Sequence, residues 1–353
     1  MTKAKTGQNS KMKINKIVLS GLCLLLLVAI PSCTDSSDNN DTTKQEKVRN
    51  IVITMIPKSA ANPVFLSAKT GAEKEAENLS EKYSKISVTV KWSTPETESA
   101  TEQAKLIRDA IKAKTDAIII SCSDIDSITP AINEAVDAGI QVMTFDSDAP
   151  KSKRFAYFGP DDIALGEAVL TELSKLIGGK GKIAILGGNE NAPNLIQRVN
   201  GIKKAIAANK GIELVGVFYH PENEAAAIAE MMRVQELHPD LAGWAMVGGW
   251  AMFGKELMNK IEPGKIKIVA VDALPEQLEY IEKNYAQVLF GQPTFRWGKI
   301  TVETVIEKIY RNKKVDEIIR LSPIPVTIDN LGGWSRQLRA WGYQNIPDNY
   351  LRM

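Results

Sequence analysis

Short apolar runs rich in β-branched residues alternate along this chain with segments of helical period. In the segment ATEQAKLIRDAIKAK (residues 100–114), for example, Ala104, Ile107 and Ile111 fall on one face of a helix. The apolar runs are nearly continuous, which is typical of strands buried on both faces of a parallel sheet that helices cover. The runs are IVITMI, ISVTVKW, AIIISC and IQVMTFD, beginning at residues 51, 86, 117 and 140, and KIAILGG, IELVGVFYH, GWAMVGG and IKIVAVD, beginning at residues 182, 212, 243 and 266.

The spacing of these runs repeats. Successive starts are 35, 31 and 23 residues apart in the first four runs and 30, 31 and 23 residues apart in the last four. Two similar lobes in tandem explain this repeat better than one large sheet does, and residues 48–353 are numerous enough for two cores. The pattern therefore predicts an α/β fold of two Rossmann-like lobes, each a parallel sheet with helices on both faces.

The amino-terminal segment has the features of an export signal. Residues 11–33 read KMKINKIVLSGLCLLLLVAIPSC, in which lysines precede a 14-residue apolar stretch from Ile17 to Ile30. This stretch is shorter than the ~20 residues that span a bilayer as a helix. The ending AIPSC resembles a bacterial lipobox, which predicts a signal peptide over residues 1–32 and a lipid-modified Cys33. An ordinary secretory signal with an incidental cysteine is the alternative.

A polar segment follows the cysteine. Residues 34–47 read TDSSDNNDTTKQEK and have no aliphatic side chain to bury, so we expect a flexible tether over residues 33–47. Cys23 would leave with the signal and Cys33 would carry lipid, so the mature chain would keep Cys122 and could form no internal disulfide. We therefore predict a protein of the periplasm or cell envelope that a lipid anchors to a membrane.

Charge and motifs exclude several classes of function. The net charge is +2, and no run of Lys and Arg marks a nucleic-acid-binding face. The sequence GWAMFGK (249–255) has Walker A spacing, but Glu256 stands where a Ser or Thr must bind Mg²⁺. The chain contains no zinc-ligand spacing and no G-x-G-x-x-G sequence. We predict no cofactor, no metal and no nucleic-acid partner.

Polar residues follow the predicted strands, at the edge where ligands bind to parallel sheets. Ser121 follows the third strand, Asp146 and Asp148 follow the fourth within TFDSDAP, and Gln292 lies in GQPTF near the end of the chain. Hydroxyl, carboxylate and amide groups suit a polyhydroxylated ligand, because each ligand hydroxyl both donates and accepts hydrogen bonds.

Seven sequence blocks together resemble the periplasmic sugar-binding proteins of the ribose- and galactose-binding type, the solute receptors of ABC transporters. The resemblance extends from about Val48 to Ile328. It implies two lobes joined by three crossing segments, with a sugar held between them. The blocks are NPVFLSAKTGAEKEA (62–76), SDIDSITPAINEAVDAGIQVMTFDSD (123–148), YFGPDDIALGE (157–167), RVNGIKKAI (198–206), HPDLAGWAMVGGWAMFG (238–254), IVAVDALPE (268–276) and GQPTFRWG (291–298).

The resemblance also implies ligand-binding residues. A carboxylate accepts hydrogen bonds from adjacent hydroxyls, a guanidinium donates two, and an aromatic ring covers the apolar face of a sugar. The positions that match the family's pocket are Asn62, Phe65, Asp146, Arg198, Asp272 and Gln292.

Three departures from the family pattern leave the ligand open. The family often has an arginine after the fourth-strand aspartate, where this chain has Ser147 and Asp148. Asp162 replaces a common asparagine, and Trp250 follows two glycines at the end of a second-lobe strand. We include Ser121, Asp162 and Trp250 among the candidate ligand-binding residues. One arginine facing several carboxylates gives the pocket a net negative tendency, so a monosaccharide, a deoxysugar, a polyol and an aminosugar are all admissible.

The two aspartates of DSD receive different predicted roles. We assign Asp146 to the hydroxyls of the sugar. We assign Asp148 to the rim of the pocket, where it would pair with Lys151, Lys153 or Arg154 or meet a cationic group of the ligand.

The interpretation is a monomeric, non-enzymatic binding protein that delivers a sugar to the membrane permease of an ABC transporter. The alternatives are a sensor that acts on a histidine kinase or chemoreceptor and, more weakly, a sugar-modifying enzyme that uses the DSD carboxylates. The hinge is expected near residues 159–161, 292–293 and 326–328. The predicted lobes are residues 48–160 with 293–327 and residues 161–292 with 328–353.

Overall fold

The structure is a computed structural model that describes residues 48–353, so the predicted signal peptide, Cys33 and the tether lie outside the described residues. The strands are β1 (Arg49–Ile56), β2 (Ile86–Trp92), β3 (Ala117–Ile120), β4 (Gln141–Phe145), β5 (Ala156–Gly159), β6 (Gly181–Gly188), β7 (Ile212–Tyr219), β8 (Leu241–Met246), β9 (Lys267–Val271), β10 (Val288–Gly291), β11 (Ile318–Arg320) and β12 (Ile324–Val326).

Helices connect most of these strands. They are α1 (Leu66–Lys82), α2 (Ala100–Lys112), α3 (Ile125–Asp137), α4 (Asp162–Leu176), α5 (Pro193–Ala207), α6 (Glu224–Leu237), α7 (Leu278–Glu282), α8 (Phe295–Ile309), α9 (Leu331–Ala340) and α10 (Asp348–Leu351). Side chains cap several of them: Ser99, Asp124, Asp161 and Asn223 accept hydrogen bonds from backbone N–H groups in the first turns of α2, α3, α4 and α6.

The strands form two six-stranded sheets, which confirms the predicted fold class. The first sheet has the order β11-β5-β4-β3-β1-β2 and is parallel throughout. Helices α1 and α8 cover one of its faces, and α2 and α3 cover the other. The second sheet has the order β12-β10-β9-β8-β6-β7 and is parallel except for β12. We call these two sheets with their helices the first lobe and the second lobe.

The chain passes between the lobes three times. The first passage lies between β5 and α4, and the second between β10 and α8, because α4 packs on the second sheet and α8 on the first. The third lies between Arg320 and Ile324. The sequence predicts this third passage at residues 326–328 and places residues 293–327 in the first lobe. That prediction is wrong for β12, which belongs to the second sheet. Val326 of β12 pairs with Leu289 of β10 in the second sheet, where β12 forms hydrogen bonds with backbone groups of β10 that would otherwise lack partners. A strand of three residues is too short to show a periodic pattern in the sequence.

A close crossing of two helices positions part of the second lobe. Gly166 of α4 faces the backbone of Arg198, and Gly201 of α5 faces the backbone of Ile163. A Cβ atom added at Gly201 would lie 2.1 Å from the Ile163 carbonyl oxygen. The glycine of the sequence RVNG therefore lets α5 approach α4, and this approach holds Arg198 next to the start of α4.

We expect Gly201→Ala to lower the free energy of unfolding by roughly 1–3 kcal/mol, because the methyl group would push two helices apart. Gly333→Ala is the matched control, since Gly333 lies in α9 with no heavy atom within 4 Å of its added Cβ. The control should be neutral or stabilising, because alanine favours a helix over glycine by about 0.5–1 kcal/mol. Chemical denaturation measures both variants, and equal stability of the two would contradict the close crossing.

Candidate ligand-binding site

A small polar cavity lies between the two lobes, at the carboxyl ends of their strands. Its volume is about 20 Å³, room for about one water molecule, so side chains of the two lobes touch across the cleft. A sugar would therefore enter only when the lobes part. We call this space the inner cavity. Its lining includes seven predicted residues, Asn62, Phe65, Asp146, Arg198, Trp250, Asp272 and Gln292, together with Lys58, Val64, Asn194, Leu195, Glu222, Gly248 and Trp297.

Two aspartates occupy equivalent positions in the two lobes. Asp146 follows β4 and Asp272 follows β9, and both have left-handed backbone conformations, with φ of 57° and 79°. This conformation is uncommon for a residue with a side chain, but aspartate tolerates it better than most. It turns each chain sharply at the end of the strand. The two carboxylates thereby reach the same cavity from opposite lobes.

Hydrogen bonds hold both carboxylates in place. The Ser121 hydroxyl donates to Asp146 Oδ2 at 2.7 Å. The Gln292 amide donates to Asp272 Oδ1 at 2.8 Å, and the Gly249 backbone N–H donates to Asp272 Oδ2 at 3.3 Å. Ser121 does not itself line the inner cavity, and its hydroxyl positions Asp146 in this structure; its predicted contact with the ligand stays a prediction.

Arg198 is the central cation of the site and is only 3% exposed. Its Nε donates to Asp162 Oδ1 at 2.8 Å, its Nη1 donates to the Val247 carbonyl at 3.0 Å, and its Nη2 donates to Gln292 Oε1 at 3.4 Å. Nη2 also lies 3.9 Å from Asp146 of the other lobe. The guanidinium group therefore lies among polar groups of both lobes, and its predicted contact with ligand oxygens stays a prediction.

Asp162 stands behind Arg198 and does not line the inner cavity; it positions the guanidinium group in this structure, and its predicted ligand contact stays a prediction. Burial raises the pKa of this carboxyl group to about 7, although Arg198 opposes the shift. Because the folded protein binds this proton more tightly than the unfolded chain, the associated stability is present at low pH and is lost as the pH rises from 3.8 through about 7.

We expect the ligand-free protein to become less stable between pH 5 and pH 8, by at most about 1.4 kcal/mol per pH unit for this one group. Asp162→Asn cannot titrate at this position and should flatten the profile. Denaturant unfolding at several pH values measures the slope. A slope that Asp162→Asn leaves unchanged would show that other groups cause it.

Aromatic rings form one wall of the inner cavity. The ring of Phe65 packs between Phe145 and Trp297, with centroid distances of 6.1 and 6.0 Å. Trp250 closes the second-lobe side and contacts the ring of His220 edge-on at 5.2 Å. Asn62 also lines the cavity, and its side-chain oxygen accepts a hydrogen bond from the Val64 backbone N–H at 3.1 Å.

A contact between Lys58 and Asn194 joins the lobes and was not predicted from the sequence. Lys58 Nζ donates to Asn194 Oδ1 at 2.9 Å, and Asn194 Nδ2 donates to Asp146 Oδ1 at 3.2 Å. Burial acts to lower the pKa of Lys58, but the nearby carboxyl groups of Glu222, Glu98 and Asp146 outweigh it and raise the pKa above its usual value. The cleft therefore contains a second cation beside Arg198.

Two sequence signals could have found these residues. Lys58 lies two positions after the end of β1, at the ligand-binding edge of the sheet. Asn194 precedes Arg198 by four residues in α5, so both side chains lie on the same helix face. Glu222 follows β7 in the sequence YHPE and has a similar strand-end position.

Asp148 is already paired within the protein. Arg154 holds it through two nitrogens, with Nη2 at 2.7 Å from Asp148 Oδ2, and the Thr144 hydroxyl also donates to it. This is one of the partners that we predicted for Asp148. Residues 48–353 contain no group of three or more His, Cys, Asp and Glu side chains that could hold a metal ion. In the same range, no helix is both long and apolar enough to cross a membrane.

Comparison with known proteins finds relatives that match most of this chain. The ribose import binding protein of Bacillus subtilis is 24% identical to this chain over 311 residues, which cover 88% of this chain and 96% of that protein. The ribose import binding protein of Escherichia coli is 24% identical over 264 residues, 74% of this chain and 86% of that protein. These relatives are named as binding proteins and not as enzymes.

Solved structures agree with the fold. An ABC transporter solute-binding protein from Burkholderia graminis, in complex with D-arabinose, is 27% identical with a TM-score of 0.74, and the match covers 80% of this chain and 97% of that one. A chain of a XylFII–LytSN complex is 25% identical with a TM-score of 0.71, covering 79% and 98%. The model of the periplasmic binding protein domain matches residues 53–313, most of the sequence. The chain therefore belongs to the periplasmic binding protein family.

Proposed function

We propose that this chain is the substrate-binding lipoprotein of a sugar ABC transporter and that it holds a monosaccharide or a related polyol between its lobes. One observation carries the proposal: Asp146 of the first lobe and Arg198 of the second lobe meet in one cavity walled by Phe65. The names of the relatives support it, since they bind ribose and D-arabinose.

The chemistry of the cavity suits a sugar. Asp146 and Asp272 would accept hydrogen bonds from hydroxyl groups, Arg198 would donate to ligand oxygens, and Phe65 would cover the apolar face of the ring. These groups come from both lobes, so a bound sugar would favour the closed form over the open one. The permease would then recognise that closed form.

A thermal-shift screen against sugars and polyols, followed by calorimetry, tests the proposal. A ligand present at a hundred times its Kd should raise the free energy of unfolding by about 2.7 kcal/mol. The ligand should be recovered chemically unchanged after incubation. Failure of every sugar and polyol to stabilise the protein would refute sugar binding, and turnover would favour the enzyme alternative.

Sensing is a second candidate function, favoured by the similarity to a chain of the XylFII–LytSN complex. In that case the closed form would contact the extracellular domain of a histidine kinase or chemoreceptor. Pull-down of ligand-loaded protein with the permease and with candidate receptor domains distinguishes the two functions. Retention by the permease alone supports transport, and retention by a receptor domain alone supports sensing.

The lipid anchor rests on the sequence AIPSC. We expect cells that express the full chain to attach a labelled fatty acid to it and to retain it in the membrane fraction. Cys33→Ala should abolish labelling and release the protein. Cys122→Ala is the matched control, because Cys122 is a buried free cysteine and should not affect labelling. Absence of label in the unmodified chain would contradict the lipoprotein assignment.

A further inference from the structure

A second and larger space lies between the lobes, beside the inner cavity, with a volume of about 510 Å³. We call it the outer chamber. Glu222 lines both spaces, so the outer chamber begins where the inner cavity ends. Its walls come from both lobes: Ser59, Ala61, Thr97 and Glu98 from the first, and Gly188, Asn189, Glu190, Asn191, Tyr219, His220, Pro221, Glu222 and Asn223 from the second.

Two buried side-chain atoms of residues that line the outer chamber have no hydrogen-bond partner within the described residues. They are Glu222 Oε1 and His220 Nε2. His220 is only 7% exposed, and its Nδ1 lies 2.7 Å from the Pro221 carbonyl oxygen. A carbonyl oxygen only accepts, so Nδ1 carries the proton and Nε2 presents a lone pair. Burial also lowers the pKa of His220, which keeps the ring neutral. His220 Nε2 therefore requires a donor, and Glu222 Oε1 requires a hydrogen-bond partner.

The outer chamber also brings carboxyl groups of opposite lobes together. Glu98 of the first lobe accepts a hydrogen bond from Asn189 of the second lobe at 3.1 Å and lies beside Glu222. No Lys or Arg is among the described residues that line this chamber. Burial raises the pKa of Glu222 and Glu98 adds to the shift, although the charge of Lys58 opposes it, so one cation serves both carboxyl groups.

Lys58 does not meet this need by itself. Its ammonium group donates a hydrogen bond to Asn194, and Lys58 lines the inner cavity. Within residues 48–353, it forms no ion pair at 4.0 Å or less. The ionisable groups around the cleft include two cations and five carboxyl groups. The cations are Lys58 and Arg198, and the carboxyl groups are Glu98, Asp146, Asp162, Glu222 and Asp272.

We propose that the ligand is an amine-substituted sugar or polyol, whose ring lies at the inner cavity once the lobes have parted to admit it and whose ammonium group lies in the outer chamber between Glu98 and Glu222. This inference rests on the proposed function. An ammonium group has three donors, which match Glu98, Glu222 Oε1 and His220 Nε2. Its positive charge would attract carboxyl groups of both lobes and would add to the stabilisation of the closed form that the ring contacts provide.

Calorimetry at pH 7 with matched pairs tests the proposal, each pair consisting of a hexose or cyclic polyol and its monoamine counterparts at successive ring positions. In the pair that binds best, we expect the amine to bind ten- to a hundredfold more tightly than the hydroxyl compound, as for a charge-assisted hydrogen bond. Equal or tighter binding of the hydroxyl compound overturns the ligand class while leaving sugar binding intact. No binding of either member in any pair refutes the proposed function itself.

Variants locate the ammonium group. Glu222→Gln should reduce the advantage of the amine over the hydroxyl compound to about twofold or less, whatever it does to the affinity for the hydroxyl compound, because Glu222 also lines the inner cavity. Glu98→Gln should have the same effect and serves if Glu222→Gln fails to fold. Glu190→Gln is the matched control, because Glu190 lines the same chamber but is exposed, and it should keep most of the advantage. An advantage that survives both Glu98→Gln and Glu222→Gln places the amine elsewhere and overturns the proposal.

Proton release gives a second readout. Calorimetry in two buffers with different ionisation heats counts protons exchanged on binding. The ammonium group should displace a proton from Glu222, whose pKa burial raises, whereas the hydroxyl compound should not. Equal proton counts for the two ligands would contradict the assigned position.

Discussion

Arg198→Met should lower the free energy of unfolding by about 3–5 kcal/mol and abolish detectable ligand binding, the largest effect that we expect for a single substitution. Arg198 is buried, and its guanidinium group contacts Asp162, Gln292 and the Val247 carbonyl. Methionine preserves much of the side-chain volume but leaves Asp162 as a buried carboxyl group without its cation. The loss should therefore be greater at pH 8 than at pH 5, since the pKa of Asp162 lies near 7 even with Arg198 present.

Two further variants complete the experiment. Arg296→Met is the matched control, because Arg296 is exposed and its loss should change stability by no more than about 0.5 kcal/mol. Arg198→Lys keeps the charge but not the planar fork, so it should recover part of the stability and little of the affinity. Denaturant unfolding and calorimetry measure both quantities. A stable Arg198→Met variant that binds ligand normally would remove Arg198 from the site.

Asp146→Asn is expected to weaken ligand binding ten- to a hundredfold with a smaller effect on stability. The Asp146 carboxylate is buried between Ser121, Asn194 and Arg198, where it would accept hydrogen bonds from the sugar. A hydrogen bond to a charged group contributes roughly 1.5–3 kcal/mol, which corresponds to this loss. Asparagine also tolerates the left-handed backbone at this position, so the substitution tests the charge and not the turn.

The neighbouring aspartate provides a sharp comparison. Asp148 is held by Arg154, so Asp148→Asn should lower the melting temperature and change the affinity by only a few-fold. Asp137→Asn is the surface control, since the Asp137 side chain is 62% exposed. Equal small losses of affinity for Asp146→Asn and Asp148→Asn would exclude Asp146 from the ligand site.

Much of the fold was predictable because the apolar runs are long and bounded by polar loops. The runs that begin at residues 51, 86, 117 and 140 became β1 to β4, and those at 182, 212, 243 and 266 became β6 to β9. The last edge strands were harder to assign. β11 and β12 have three residues each, too few for a period, and their sheet is determined by distant partners at Tyr157 and Leu289.

The site was predictable to the extent that it depends on strand ends. Asp146, Asp272 and Gln292 follow strands directly, and parallel strands bring their carboxyl ends to one edge. Ser121 and Asp162 also lie at such ends, but side-chain direction places them behind Asp146 and Arg198. Strand-end position therefore selects the neighbourhood of a ligand and does not separate the residues that face it from those that support them.

The sequence by itself determined the elements, their repeat, the two-lobed class and the edge at which polar groups gather, because these depend on local periodicity and on the order of segments along the chain. Only the tertiary structure decided which groups meet across the cleft. Lys58 and Asn194 are 136 positions apart, and Glu98 and Asn189 are 91 apart. Their contacts, the buried charges that result and the two adjoining spaces arise from the closing of one lobe on the other, which no local pattern records.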